Sequence, residues 1–358
     1  MIGRLKSLFT RSAGAAAPEP TGETVLMNVY STLLEIAQPV FAHKLHSRRD
    51  LSDPALLKHL HGFCAHVLSR GDGQMSRDKY HVILHVQRVQ QHLSMAVGIA
   101  DLEQFYAWAA NANAILFTED GNVIDPQGRV LVGAADGKAD PGAQLPYPEK
   151  ALARQIATEA MLELRGVIVP PTLPPLVCED ELALQDRDDV VGRARALLLV
   201  AIRAQSVASG EAMPVDTLLA KMPLADDYLS PRELAFLAMD TPSREECAQF
   251  IWSYEALYLL EWALGLVDTL PYPDVPCDAA AVVATLIDMR GPQLRSPGEI
   301  LDALDLHYRL HWYIRQARLK GRGEAAGIDA DVVMQRHQVL NWLVRFQHAD
   351  WDDVDTPT

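Results

Sequence analysis

The chain has 358 residues, of which 49% are hydrophobic, 22% charged and 7% aromatic. This composition excludes a disordered, fibrous or coiled-coil protein, and the length predicts two domains. The net charge of −15 is uneven, because residues 1–148 hold 13 basic and 14 acidic residues whereas residues 149–358 hold 19 and 33. Such an acidic C-terminal half repels phosphate backbones and anionic membranes, so neither a nucleic acid nor a membrane is expected as a partner.

The N-terminal segment and the cysteines indicate a cytoplasmic protein. We expect residues 1–21 to be a flexible leader, with a weak amphipathic anchor as the alternative. The cysteines form no CxxC pair, which favours reduced thiols over a zinc or disulfide framework. The longest apolar stretch, residues 250–267, contains two glutamates and therefore predicts a buried helix rather than a membrane span. The four cysteines are Cys64, Cys178, Cys247 and Cys277.

Residues 22–133 alternate between strand and helix patterns. A strand is predicted in 23–33, a helix in 53–69, a strand-like segment in 80–97, a helix from Asp101 and a three-stranded meander in 114–132. This order predicts a small α+β sandwich, with an antiparallel or mixed sheet covered on one face by two helices. Residues 134–148, rich in Gly, Pro, Ala and Asp, predict a linker.

Residues 149–358 have helical periodicity almost throughout. Proline-rich segments separate the predicted helices, and the absence of an internal repeat favours an irregular all-α domain over a solenoid. The fold class is therefore α+β overall. The predicted helices span residues 148–164, 188–207, 216–220, 231–239, 243–267, 278–286, 297–319 and 330–346.

Several strings in this half resemble the bacterial domain-of-unknown-function family 4272, over residues 149–356. They are SYEAL at 253–257, LEWALGL at 260–266, SPGEILD at 296–302, LHYRLHW at 306–312, RH at 336–337, LNW at 340–342 and DWDD at 350–353. The preceding part, with HVQR at 85–88, is similar to the extra domain of longer members. The resemblance implies domain boundaries and a bacterial intracellular setting, and it brings no known reaction, cofactor or catalytic residue.

The predicted helix 297–319 has two apolar faces. His307, His311 and Arg318 occupy the seam between them, where burial demands acidic or carbonyl partners. Two interpretations stay open: polar core groups satisfied by neighbours, or a ligand-binding cleft that also includes His337. The same wheel predicts a solvated stripe of Asp302, Asp305, Arg309 and Gln316.

Two glutamates of the predicted continuous helix 243–267 have no polar face. Glu255 and Glu261 both fall among apolar residues, so at least one is expected to be buried. Helix 188–207 offers Arg193 and Arg195 as counter-charges. A buried Arg–Glu pair that fixes helix register explains this pattern, and catalysis is the alternative.

Eight of the twelve histidines lie between His43 and His92. No HExxH or CxxC spacing accompanies them, so we expect solvated or partner-facing histidines and neither a metal nor a cofactor. The acidic tail at 350–355 is interpreted as a solvated terminus, with cation binding as the alternative.

Three functions follow as hypotheses. The first is a non-enzymatic module that binds a protein or a small molecule. The second is a hydrolase or transferase, with Glu255 and His311 as acid/base candidates and Arg193 or Arg318 holding an anionic substrate. The third is neutralisation of a basic toxin by the acidic half.

Overall fold

The computed structural model describes residues 18–321 and 327–358. The chain divides into two compact units, an N-terminal unit that ends at Tyr147 and a C-terminal unit that begins at Pro148. Most of the expected leader, residues 1–17, lies outside the described residues.

The N-terminal unit is a six-stranded antiparallel sheet with three helices. The strand order is β2-β3-β1-β4-β5-β6. Its elements are β1 Thr24–Ser31, β2 His43–Asp50, α1 Pro54–Leu68, α2 Arg77–Gln87, β3 Gln91–Gly98, α3 Leu102–Asn111, β4 Ala114–Thr118, β5 Val123–Ile124 and β6 Val130–Val132.

Side-chain alternation along the strands gives this sheet two apolar faces. In β4, Leu116 packs with Phe105 and Trp108 of α3, whereas Ile115 packs with Leu60 of α1 and with side chains of α2. Because successive strand residues point to opposite faces, both faces are covered by helices. The α+β class is confirmed, but the expectation of two helices on one face is wrong.

The segment predicted as a strand from residue 80 begins as helix α2. Ser76 caps this helix by accepting from the backbone N–H of Lys79 at 3.2 Å. Val82 and Val86, four residues apart, share the buried face of this helix, whereas Tyr80 lies on the opposite side and is exposed. The strand itself, β3, starts only at Gln91.

Strand β2 was not predicted because it is polar and lies at the edge of the sheet. It pairs with β3 in a register that sets Arg49 opposite His92 and Arg48 opposite Leu93. An edge strand is solvated and so needs no hydrophobic alternation to fold.

The segment predicted as a linker packs on the N-terminal unit. Asp140 donates its N–H to the carbonyl of Val130 at 2.7 Å, and Gln144 donates its N–H to the Asp125 carboxylate at 3.1 Å. Leu145 lies against the apolar cluster of α1 and α2.

The C-terminal unit is helical. Helix α9 is its centre, with every residue except Tyr258 buried, and α5, α10 and α12 pack around it. The helices are α4 Glu149–Leu164, α5 Arg187–Ala208, α6 Val215–Lys221, α7 Pro231–Leu237, α8 Arg244–Ile251, α9 Ser253–Ala263, α10 Ala279–Ile287, α11 Pro297–Leu319 and α12 Ala330–Leu343.

Caps explain where several of these helices begin. Ser230 and Glu233 form a reciprocal capping box at the start of α7, where the sequence pattern predicts a helix from residue 231. Ser243 and Ser296 cap α8 and α11 in the same way. The predicted continuous helix over 243–267 is wrong, because the chain turns at Trp252 and divides the stretch into α8 and α9.

Candidate functional site

Glu255 is buried on α9, and both of its carboxylate oxygens are occupied. Oε1 accepts from Nε of Arg336 on α12 at 2.7 Å, and Oε2 accepts from the N–H of Cys277 at 2.7 Å. Arg336 also donates from Nη1 to the carbonyl of Pro271 at 2.6 Å. Burial and the Glu255 carboxylate raise the pKa of the Cys277 thiol, so this thiol is protonated at neutral pH. The pair therefore ties α9 and α12 to the loop before α10.

Arg193 on α5, expected as a counter-charge for the glutamates of α9, does not pair with Glu255. Its guanidinium pairs with Glu233 of α7 and donates to the carbonyl of Tyr228. It also lies 4.3 Å from the ring centroid of Trp351. The C-terminal unit thus contains the expected kind of buried Arg–Glu pair twice, each time with a partner far away in the sequence.

Three candidate histidines come together on α11 and α12. Nδ1 of His311 lies 3.0 Å from Nδ1 of His337, and the two rings are nearly perpendicular. His307 donates from Nδ1 to the carbonyl of Ala303 at 2.7 Å. Burial lowers the pKa of all three, to about 3 for His307, and for His337 the neighbouring imidazoles lower it further. All three rings are therefore neutral at neutral pH.

The rest of α11 departs from the helical wheel. Arg318 is exposed near the end of the helix, so the expected seam holds His307 and His311 without it. Asp305 and Arg309, expected in solvent, are buried and joined by two contacts of 3.0 Å. Arg309 also donates to Glu159 of α4 at 3.0 Å. The cover that α4 provides is not visible in the sequence of α11.

Glu261 differs from every carboxylate above. It is fully buried on α9, and neither of its oxygens has a hydrogen-bond partner among the described residues. Burial raises the pKa of Glu261 to about 8. The carboxyl group is thus protonated at neutral pH, and both glutamates of this helix are buried.

A cavity of about 440 Å³, broadly open to solvent, lies in the N-terminal unit, between α1 and one face of the sheet. Helix α1 supplies six of its lining residues, and β1, β2 and β4 supply one each. They are Ala55, Lys58, His59, Gly62, Phe63 and His66 from α1, with Tyr30, Arg49 and Phe117 from the strands.

Aromatic rings form the floor of this cavity. Tyr30 stacks on Phe63 with 4.2 Å between ring centroids. Phe117 meets Phe63 edge to face at 5.3 Å and His66 at 5.1 Å. The helix period brings Phe63 and His66 to one side of α1, and the antiparallel register brings Tyr30 opposite Ile115, two residues before Phe117.

The polar groups of the cavity form a chain from β1 to β2. The Tyr30 hydroxyl and Nε2 of His59 share a hydrogen bond of 3.0 Å, and the His59 ring lies 4.3 Å from that of His92. Arg49 donates from Nη1 to Nδ1 of His92 at 3.2 Å. Burial, His59 and Arg49 lower the pKa of His92 to about 3, and burial and Arg49 lower that of His59. Arg49 and Lys58 are therefore the permanent charges of the lining.

Gly62 gives the helical wall of the cavity a gap. It lies in the middle of α1, where glycine costs about 0.5–1 kcal/mol relative to alanine. A Cβ at this position has no other heavy atom within 4 Å, so close packing does not require glycine here. The missing side chain instead widens the cavity.

A family model described as Domain of unknown function (DUF4272) matches residues 154–354. The chain belongs to this family. The match confirms the resemblance of the C-terminal half and leaves residues 1–150, with the cavity, outside the DUF4272 domain. Comparison with the curated proteins and with the solved structures gives no match.

The described residues of this DUF4272 protein contain neither a group of side chains placed to bind a metal nor a membrane-spanning helix. Within 18–321 and 327–358, no three His, Cys, Asp or Glu side chains are arranged to hold a metal ion. No helix within the same ranges is both long enough and apolar enough to cross a bilayer.

The sequence interpretation missed the cavity. It placed His59 and His66 on the flank of a helix, but it assigned no role to Tyr30, Arg49 or Gly62. The concentration of eight histidines between residues 43 and 92 was the available signal. Two of them, His59 and His66, line the cavity, and Arg49 joins them from β2, which the sequence pattern did not predict.

Proposed function

We propose that this protein is a non-enzymatic binding module of the bacterial cytosol, which takes a small molecule into the cavity beside α1. The cavity carries the proposal. Its volume of about 440 Å³ falls in the range of small-molecule sites, roughly 300–1000 Å³, and aromatic walls with a few polar groups are typical of them. The scattered cysteines and the family membership support the compartment, and the acidic C-terminal half argues against nucleic acid as a ligand.

The ion pairs of the DUF4272 unit also support a non-enzymatic protein. Three of the four buried arginines among its described residues, Arg193, Arg309 and Arg336, pair with a carboxylate, and the fourth, Arg203, donates to the carbonyl of Met213 at 2.8 Å. Because a guanidinium satisfied by a carboxylate needs no substrate, these pairs fit a structural role.

The alternative, a hydrolase or transferase that uses Glu255 and His311, has less support. A general base needs a lone pair that reaches the substrate, and both oxygens of Glu255 are engaged by Arg336 and Cys277. The partner imidazole of His311 belongs to the buried His337. We therefore favour binding over catalysis.

A fragment screen by NMR on the full-length, isotope-labelled protein tests the proposal. Fragments that bind are expected to shift the amide signals of α1 between Ala55 and His66. Gly62→Leu, which projects a side chain into the cavity, should abolish these shifts. Ala65→Leu adds the same side chain at an exposed position outside the lining and should preserve them.

Two results would contradict the proposal. One is a set of fragments that bind without perturbing α1. The other is binding at α1 that survives Gly62→Leu unchanged.

A further inference from the structure

We infer that the ligand of this cavity is a planar aromatic anion, a ring system that carries one carboxylate or phosphate group. This inference rests on the proposed function and adds the ligand's chemical class. The charge of the lining and its rings both contribute to it.

The charge of the lining is positive. Arg49 and Lys58 both line the cavity, and no carboxylate does. Asp53, outside the lining, forms an ion pair with Arg49 at 3.8 Å between Oδ2 and Nε, which is longer than a hydrogen bond and leaves the guanidinium free to donate to a ligand. A ligand that is cationic is therefore repelled, whereas an acid group gains charge-assisted hydrogen bonds from the guanidinium.

The number of charges on the ligand is small. The two histidines that line the cavity, His59 and His66, have pKa values lowered mainly by burial, so they add hydrogen-bonding nitrogens rather than positive charge. Because Arg49 is already paired with Asp53, the cations of the lining suffice for a carboxylate or a single phosphate group. A polyphosphate would exceed this charge.

The walls select a flat, unsaturated body. Tyr30 and Phe63 stack on each other with 4.2 Å between ring centroids and are buried, so the ring surface left to a ligand is that of the half-buried His59, His66 and Phe117. Aromatic ligands pack on such rings in offset and edge-to-face arrangements. Gly62 is exposed on α1, and a Cβ there meets no heavy atom within 4 Å, so the helical side of the cavity is open to a flat body.

Two matched probe pairs test the inference on the full-length protein. 2-Naphthoate is compared with 2-naphthamide, and adenosine 5′-monophosphate with adenosine, by isothermal titration calorimetry. In at least one pair the anion is expected to bind about tenfold or more tightly than its neutral counterpart, since hydrogen bonds to charged groups have this magnitude. The pair that shows the preference identifies the acid group as carboxylate or phosphate.

Variants assign the preference to the cations. Arg49→Gln and Lys58→Gln should each reduce the ratio between anion and neutral probe, while Gly62→Leu should abolish binding of both. Lys44→Gln removes a charge from the same strand β2 outside the lining and should leave the ratio unchanged. Melting temperatures confirm that each variant is folded.

The outcomes separate the inference from the function on which it rests. Equal affinities within both pairs, or no binding of any of the four probes, overturn the aromatic anion. If neutral or cationic fragments still bind and Gly62→Leu still blocks them, the cavity remains a binding site for another class of ligand. If no fragment binds at α1, the proposed function fails as well.

Discussion

The two units of this chain bury ionisable side chains in different ways. In the DUF4272 unit, buried arginines meet carboxylates, as with Arg336 and Glu255 or Arg309 and Asp305. In the N-terminal unit, the half-buried Arg49 instead donates to the neutral ring of His92 beside a cavity and meets the Asp53 carboxylate only at 3.8 Å. A charge that is neutralised inside the fold stabilises or orients helices, whereas a charge that faces a cavity is available to a ligand.

The largest effect on stability is expected when one of the buried ion pairs of the DUF4272 unit is broken. Glu255→Gln keeps the side-chain volume but leaves Arg336 without a counter-charge, and we expect a loss of about 3–5 kcal/mol in the free energy of unfolding. Urea denaturation followed by tryptophan fluorescence measures it, because five of the six tryptophans lie in the C-terminal unit.

Asp180→Asn is the matched control for that variant. Asp180 forms a 2.9 Å pair with Lys150, but both side chains are 58% exposed, so no measurable change of the denaturation midpoint is expected. If Glu255→Gln unfolds at the wild-type midpoint and yet abolishes binding of a ligand, Glu255 is a functional residue and the contrast between the units is wrong.

Replacement of Glu261, on the same helix as Glu255, should stabilise the protein rather than destabilise it. The pKa of Glu261 is raised from 4.5 to about 8 by burial, so the unfolded chain ionises above pH 4.5 while the folded chain keeps its proton until about pH 8. The unfolded state binds fewer protons in this window, and stability therefore falls as the pH rises. Glu261→Leu removes this penalty and should stabilise the protein by about 4 kcal/mol at pH 8.

Urea denaturation at pH 5.5 and pH 8 measures the effect. The advantage of Glu261→Leu over the wild type should be larger at the higher pH. An advantage that is equal at both pH values would mean that Glu261 does not titrate as its burial predicts.

Acid should weaken both units, since each buries neutral histidines. The pKa of His307 in the C-terminal unit and that of His85 in the N-terminal unit are lowered by burial to about 3. The stability that each neutral histidine contributes is fully present above its unfolded pKa of 6.5 and is lost as the pH falls toward 3. Between pH 6.5 and pH 3, each histidine should therefore lower the free energy of unfolding by about 1.4 kcal/mol per pH unit.

His307→Gln isolates one of these contributions. Between pH 6.5 and 5, the free energy of unfolding of this variant should fall by about 2 kcal/mol less than that of the wild type. The measurement is again urea denaturation by tryptophan fluorescence. An unchanged dependence on pH would show that His307 is not kept neutral in the folded state.

The sequence predicted the helix starts well where residues close together in the chain determine them. Ser230 and Glu233 mark the start of α7 by their spacing alone, and Asp53 with Pro54 marks that of α1. Pairings over long distances were not predictable. Arg336 lies 81 residues after Glu255, and nothing in either helix specifies the other as its partner.

The same limit explains the errors at α11 and at the cavity. The face with Asp305 and Arg309 is polar by composition, and only the position of α4 shows that it is buried. Tyr30, Arg49 and Gly62 come from three elements, one of them an edge strand without apolar alternation. A site assembled in this way has no local motif.

The smallest effect on stability is expected for a substitution in the wall of the cavity. Gly62→Ala adds one methyl group in the middle of α1, where its Cβ meets no other atom within 4 Å. Alanine favours the helix and restricts the unfolded chain, so the variant should stabilise α1 by about 0.5–1 kcal/mol, measured by amide hydrogen exchange of that helix. Gly71→Ala is the control of opposite sign, because Gly71 has a φ of +61° and its Cβ would lie 2.4 Å from the carbonyl oxygen of Asp136. If Gly62→Ala also destabilises the helix, its wall is packed rather than open. If it stabilises the helix while weakening the aromatic probes, glycine is retained at this position at the expense of stability, which is the relation expected of a residue that serves a binding site.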